Sequence, residues 1–269
     1  MRWRCCSTGH LVLSCPGLPR LRAVSEELLV ASRPELEHPI LIAAFRGWND
    51  GGQGASLATG YLAKLWDARR FAEIEPNLRW RTFTDLIVGF LKELQIELII
   101  SLGSLLADVP HTRPCPVTGS ASDPELVERL GLSASRYEGP TGIVGVLHDA
   151  CREADLPSAS LWAAVPHYVS LTPSPKAALA LCERLADVIG APIDTTELGE
   201  AAENYSEQVS EAVAADPDTA AYIEELEQRA DTLAEEADLP SGDALAAELT
   251  QFLRDRERDN GDDDVARGQ

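Results

Sequence analysis

The apolar run Pro39-Ile40-Leu41-Ile42-Ala43-Ala44-Phe45 leads through Arg46 into the glycine-rich stretch Gly47-Trp48-Asn49-Asp50-Gly51-Gly52-Gln53-Gly54. A short apolar run without alternation, bounded by turn residues, predicts a strand buried on both faces. A helical pattern follows, with Leu57, Tyr61, Leu62 and Leu65 on one face. Strand, glycine-rich loop and helix make a βα unit, which commits the chain to a sheet covered by helices on both sides.

The rest of the chain extends this pattern. Residues 80–94 place Phe83, Leu86, Ile87, Phe90, Leu91 and Leu94 at helical spacing and lead to a strand at Ile96–Leu102. Gly103 to Asp123 reads as a long polar loop, and Pro124–Leu130 as a short helix. Gly142–Leu147 and Ala159–Val165 read as strands on either side of a helix at His148–Ala154. Pro175–Ile189 is a helix with Ala178, Leu181, Leu185 and Val188 inward. Alternating buried strands and helices predict a mostly parallel, three-layer α/β domain. Nine residues separate the helices ending near Arg70 and starting near Trp80, too few to cross the sheet as a strand and enter the next helix.

Charge divides the chain. From Glu197 onward there are 22 of the 44 acidic residues and only five Arg, so most of the net charge of −21 lies there. Three narrow helical stripes follow the step: Leu198, Ala202, Tyr205, Val209 and Val213; then Tyr222, Leu226, Ala230 and Leu233; then Leu245, Leu249 and Phe252. Four regions are expected. Residues 1–33 form a poorly ordered N-terminal extension, 34–194 the α/β core, 195–253 a helical lid segment, and 254–269 a disordered acidic tail. The acidity argues against nucleic-acid binding. No apolar run approaches the roughly 18 residues needed to cross a bilayer, so a membrane-spanning protein is not expected. The cysteines Cys5, Cys6, Cys15, Cys115, Cys151 and Cys182 form no CxxC pair, so no metal site is expected and a reducing, cytoplasmic setting fits.

Ligands of open α/β sheets bind at the carboxyl ends of the strands. That rule selects Trp48, Asn49, Asp50, Gly51 and Gly52 after the first strand. It also selects His111, Thr112, Arg113 and Thr118 in the long loop, Glu138 and Thr141 in the Glu138–Gly142 stretch, and His167 after a later strand. GWNDGGQG at a helix start can hold an anion on free N–H groups. The plainer reading is that Asn49 and Asp50 cap the helix while the glycines allow a tight turn. His111-Thr112-Arg113 suits recognition of an anion, or a loop braced by Arg113 against a carboxylate such as Asp108. Cys115, four residues from His111, makes a weak case for a nucleophile, and His148 and His167 read as structural. No GxSxG elbow, HExxH, Walker A or GxGxxG pattern occurs, so no catalytic set or cofactor is specified.

Read in order, the stretches 38–56 (HPILIAAFRGWNDGGQGAS), 75–83 (EPNLRWRTF), 101–126 (SLGSLLADVPHTRPCPVTGSASDPEL), 135–151 (SRYEGPTGIVGVLHDAC) and 156–169 (LPSASLWAAVPHYV) resemble the proteasome assembly chaperone 2 family, particularly its actinobacterial branch. The resemblance covers about residues 35–235. It implies an α/β/α, phosphorylase/hydrolase-like core, similar to purine nucleoside phosphorylases, whose cleft is capped by a C-terminal helical lid. Relatives tend to be homo-oligomers, and eukaryotic ones act as binding scaffolds in proteasome assembly, so a proteasome-related partner and a homo-oligomer are the partners implied. No accepted catalytic set comes with the family. Between Ile74 and Glu75 the chain lacks a segment that relatives carry: a tyrosine-aspartate-phenylalanine stretch, a β-hairpin expected to serve oligomerisation, and a sheet strand. A binding or chaperone-type role is therefore the expected function. The alternative is a small-molecule ligand-binding protein or enzyme, phosphorylase/hydrolase-like or an ATP-grasp-like ligase, with an anion site under the lid.

Overall fold

The computed structural model describes residues 6–7, 22–23, 28–74, 80–121, 123–134, 142–214 and 216–238. Among these described residues nine strands are assigned: β1 (Cys6–Ser7), β2 (Arg22–Ala23), β3 (Leu28–Val30), β4 (Ile40–Ala44), β5 (Ala72–Ile74), β6 (Leu98–Ala107), β7 (Val117–Ala121), β8 (Ser133–Ala134) and β9 (Ser158–Pro166). The α-helices are α1 (Gly54–Leu65), α2 (Trp80–Glu93), α3 (Pro124–Arg129), α4 (Ile143–Glu153), α5 (Pro175–Ile189), α6 (Thr196–Val213) and α7 (Pro217–Asp238), and Gly51–Gln53 forms one 3-10 turn. The chain divides into two compact units, Met1–Ile223 and Glu224–Gln269. The fold and the site described below belong to the first unit. Of the second, the described residues are the remainder of α7, where Leu233 is exposed.

The main sheet runs β1-β4-β6-β9-β7-β8. From β1 to β9 the strands are parallel, and β7 lies antiparallel to β9. Strands buried on both faces divide their side chains between two cores. On one face Ile42 and Ala44 of β4, Ile100 and Leu102 of β6, and Leu161 and Val165 of β9 pack with Leu62 of α1, Leu181 and Leu185 of α5 and Leu198 of α6. On the other, Leu41 and Ala43 of β4 and Ile99 of β6 pack with Leu91 of α2, Leu147 and Cys151 of α4, and Leu28 and Val30 of β3. Helices on both faces of a central sheet give the expected three-layer α/β/α arrangement. α6 buries Leu198, Ala202, Tyr205 and Val209, the first four members of its stripe.

Several local expectations are corrected. Residues 142–147 are not a strand: Gly142 is the N-cap of α4, and Val144, Leu147 and Cys151 form its buried face. Four of these six residues are apolar, and so short a run does not separate strand from buried helix. The long loop from Gly103 is shorter than expected, because β6 continues to Ala107 and Val117–Ala121 pairs with β9. β6 can continue because residue 103 is a glycine: a Cβ there would lie 2.3 Å from the Trp162 ring. A strand does stand between α1 and α2. It is the three-residue β5, which joins a separate antiparallel sheet, β2-β3-β5, and never crosses the main one. The buried face of α1 is Ala55, Ala58, Thr59 and Leu62, whereas Leu65 is exposed. Small residues are needed there because α1 approaches α5 closely, and a Cβ on Gly54 would sit 2.7 Å from Ala177. The core also starts before residue 34. β3 falls inside the segment expected to be a disordered extension, yet Leu28 and Val30 are buried. The tail at 254–269 and the stripe of Leu245, Leu249 and Phe252 lie outside the described residues.

Candidate functional site

The loop after β4 brings Trp48 to Gly52 to the carboxyl edge of the sheet. Asp50 reaches forward from it to the start of α1. One carboxylate oxygen accepts from the backbone N–H groups of Ala55 (3.0 Å) and Ser56 (3.1 Å), and the other from the Ser56 hydroxyl (2.6 Å). Ser104 Oγ on β6 donates to the first oxygen at 3.4 Å. The helix N-terminus that could receive an external anion therefore already holds one, the buried carboxylate of Asp50. Capping describes Asp50 well but not Asn49. Asn49 is buried, and its side-chain oxygen has no hydrogen-bond partner among the described residues. That open group is an acceptor, so it offers nothing to an anion. Gly52 turns the chain with φ +60° under Val165, where a Cβ would come within 2.9 Å.

His111 lies in the loop after β6 and is 3% exposed. Its backbone N–H donates to the Tyr168 hydroxyl at 2.8 Å, and its Nδ1 lies 2.9 Å from the same oxygen. Nε2 lies 3.0 Å from Ser210 Oγ on α6, and that hydroxyl donates to the Ser206 carbonyl at 2.9 Å. Both ring nitrogens therefore face hydroxyl oxygens, one on the β9 side and one on α6. The Lys176 ammonium donates to the His111 carbonyl. One residue thus ties the β6 loop to the end of β9, the first turn of α5 and the last turn of α6.

Beside His111 is a small cleft of about 10 Å³, with Arg113, Cys115, Ser174, Lys176 and Tyr205 among its walls. A space of that size holds about one water molecule. The Lys176 amine is drawn below its ordinary pKa, chiefly by burial; Cys115 opposes this and Arg113 adds to it. Burial pushes the Cys115 thiol up to about 11, against the pull of Lys176 and of its bond to the Ala164 carbonyl. A thiol protonated at neutral pH is a poor nucleophile, so the Cys115–His111 reading gains nothing here.

The other candidates are scattered. Thr112 is exposed, and Arg113 Nη1 donates to its hydroxyl at 3.4 Å. His167 Nδ1 lies 3.1 Å from an Asp108 carboxylate oxygen. The His167 ring packs edge-on against Tyr168 and Tyr222. Thr118 is exposed on β7 opposite Trp162, and Trp48 is 58% exposed with its ring over Gly142. Glu138 and Thr141 lie outside the described residues. His148 lies mid-helix in α4 rather than at a helix start: Nε2 meets Ser101 Oγ and Nδ1 meets Ser158 Oγ, both at 2.8 Å, joining β6, α4 and β9. Strand-end position also brings in Tyr168, beside His167, whereas sequence reasoning missed Lys176 and Ser210. Only Lys176 leaves a signal, a cation in the first turn of a helix, where the dipole disfavours it. Among the described residues, no group of three or more His, Cys, Asp or Glu is placed to hold a metal ion, and no helix is long and apolar enough to cross a membrane.

The result is a three-layer α/β/α protein with a glycine loop that caps a helix and a histidine that binds elements together. Its sequence and fold have clear relatives. The PAC2 family profile matches residues 74–213. The crystal structure of a PAC2 family protein from Streptomyces avermitilis is 38% identical, with a TM-score of 0.62, over 68% of this chain and 99% of that one. A Mycobacterium tuberculosis proteasome-assembly chaperone homologue is 35% identical, with a TM-score of 0.60 and the same coverage. A second M. tuberculosis protein, of unknown function, shares the fold at 22% identity and a TM-score of 0.70, over 80% of this chain and 94% of that one. No curated protein matches the chain. The chain belongs to the PAC2 family.

Proposed function

We propose that this protein is a cytoplasmic binding protein of the proteasome-assembly-chaperone type, with proteasome subunits as partners. The observation that carries this reading is the 35% identity to the M. tuberculosis proteasome-assembly chaperone homologue across 99% of that chain. The site chemistry supports it. A hydrolase or phosphorylase needs a base and an anion cradle open to substrate. Here, among the described residues, the carboxylate of Asp50 is spent on α1, both ring nitrogens of His111 face hydroxyl oxygens, and the cleft beside His111 admits about one water. Thermal unfolding of the purified chain with inorganic phosphate, purine nucleosides and ATP in turn separates the two classes. The binding-protein reading predicts one cooperative transition that none of them raises. A transition raised by one ligand in proportion to its concentration would favour the small-molecule site, because binding to the native state stabilises it by mass action.

A further inference from the structure

Six large apolar side chains are exposed among the described residues, and four of them, Trp48, Leu105, Leu106 and Leu171, lie at or just beyond the carboxyl ends of β4, β6 and β9. Exposed apolar residues scattered singly need no explanation, but four around one edge do; alternation along β6 turns Leu106 to the α5–α6 face of that edge and Leu105 to the α2–α4 face. The glycine loop links them. Trp48 stands near its start, and Gly51 packs against the Leu105–Leu106 backbone, where a Cβ would be 3.1 Å from the Leu106 nitrogen. The Gly52 carbonyl accepts from Ser174 N–H at 2.7 Å, three residues beyond Leu171. α6 borders the Leu171 end, through Tyr205 Oη to the Leu171 carbonyl (3.1 Å) and Ser210 to His111.

α6 supplies the charge that defines the occupant. Glu197, Glu200, Glu203, Glu207 and Glu211 recur at helical spacing, all exposed, and the helix carries no Lys or Arg. Like charges at this spacing weaken a helix. Lys64 of α1 reaches only the first of them, Glu197, at 3.0 Å. At the opposite end the exposed cation Arg46 stands next to the Trp48 loop. We propose that this edge is a docking surface for an apolar segment of a partner protein, with lysines or arginines flanking it on the side of Leu171 and α6. The proposal rests on the binding-protein reading and names the chemistry of its partner.

The probe is a fluorescein-labelled amphipathic peptide of leucine and lysine, titrated with the full chain, beside an analogue with glutamate in place of lysine. The lysine peptide is expected to bind. Leu106→Ser with Leu171→Ser should weaken it at least about tenfold, as should Glu203→Lys with Glu207→Lys and Glu211→Lys, and the glutamate analogue should bind correspondingly worse. Thermal melts of both variants establish that they fold, and the charge-reversal set carries the test if the serine pair does not. Unchanged affinity in either folded variant, no binding of the lysine peptide, or equal binding of the glutamate analogue would overturn the proposal. So would self-association in sedimentation that the serine pair abolishes, since the occupant would then be a second copy. None of these results depends on proteasome subunits, so the edge can fail while the assembly role stands.

Discussion

His148 makes a prediction about pH. Burial lowers its pKa from 6.5 to about 4, only partly offset by Asp149, while both ring nitrogens are held by serine hydroxyls. A depressed histidine pKa means the unfolded chain binds the proton first, so stability is complete above pH 6.5 and falls as pH drops from there towards 4. The loss across that window is about 3 kcal/mol. Denaturant melts at pH 7 and pH 4.5 should show it, and His148→Gln should flatten the dependence; equal slopes would mean the histidine does not titrate as its burial implies. Asp50 makes a second prediction. If its role is capping, Asp50→Ala costs about 1–2 kcal/mol of stability with or without phosphate present. If Asp50 instead shapes a ligand site, the variant would lose a phosphate response that the parent shows. At Gly103 an added methyl meets the Trp162 ring, so Gly103→Ala should cost about 1–3 kcal/mol. A neutral result in the same melts would mean the ring can move aside.

The elements that could be read from sequence are those whose periodicity was unambiguous. β4 and α5 fall within a residue of the apolar patterns that announced them, and α5 matches at both ends, with Ser174 as N-cap and Gly190 in the left-handed conformation at its C-cap. α4 was lost at its first turn because a short apolar run satisfies two periods, and tertiary packing against β6 decided between them. β3 was hidden in a stretch of ordinary composition, since three residues are too few for a pattern. Its contribution is nonetheless measurable. Leu28 is 4% exposed in the core beneath α2 and α4, so Leu28→Ala should cost about 2–5 kcal/mol in a denaturant melt. A loss below about 0.5 kcal/mol, the range of ordinary surface substitutions, would return residues 28–30 to the status of an appendage. The site was only half legible for a related reason. Strand-end position picks out Asp50 and His111, but their partners Ser56, Tyr168, Lys176 and Ser210 come from four different elements, and no spacing in the chain announces those meetings.

At the scale of the whole molecule two asymmetries bear on function. Half of the acidic residues lie from Glu197 onward, and four of the six exposed large apolar side chains among the described residues stand at one edge of the sheet. Both features suit the proposed docking surface, where the apolar edge would contribute binding energy and the acidic helix steering and choice of partner. The α/β/α layering was legible from the alternation of patterns, and the family from long matching stretches, whereas the docking edge emerged only when separate loops were placed side by side. The central claim is that the protein binds unassembled proteasome subunits. Native mass spectrometry of the purified chain mixed with proteasome α- and β-subunits from the same source tests it most directly. The account predicts a stoichiometric complex with free subunits that dissolves once the mature particle forms. No complex at micromolar concentrations with either subunit type would contradict it.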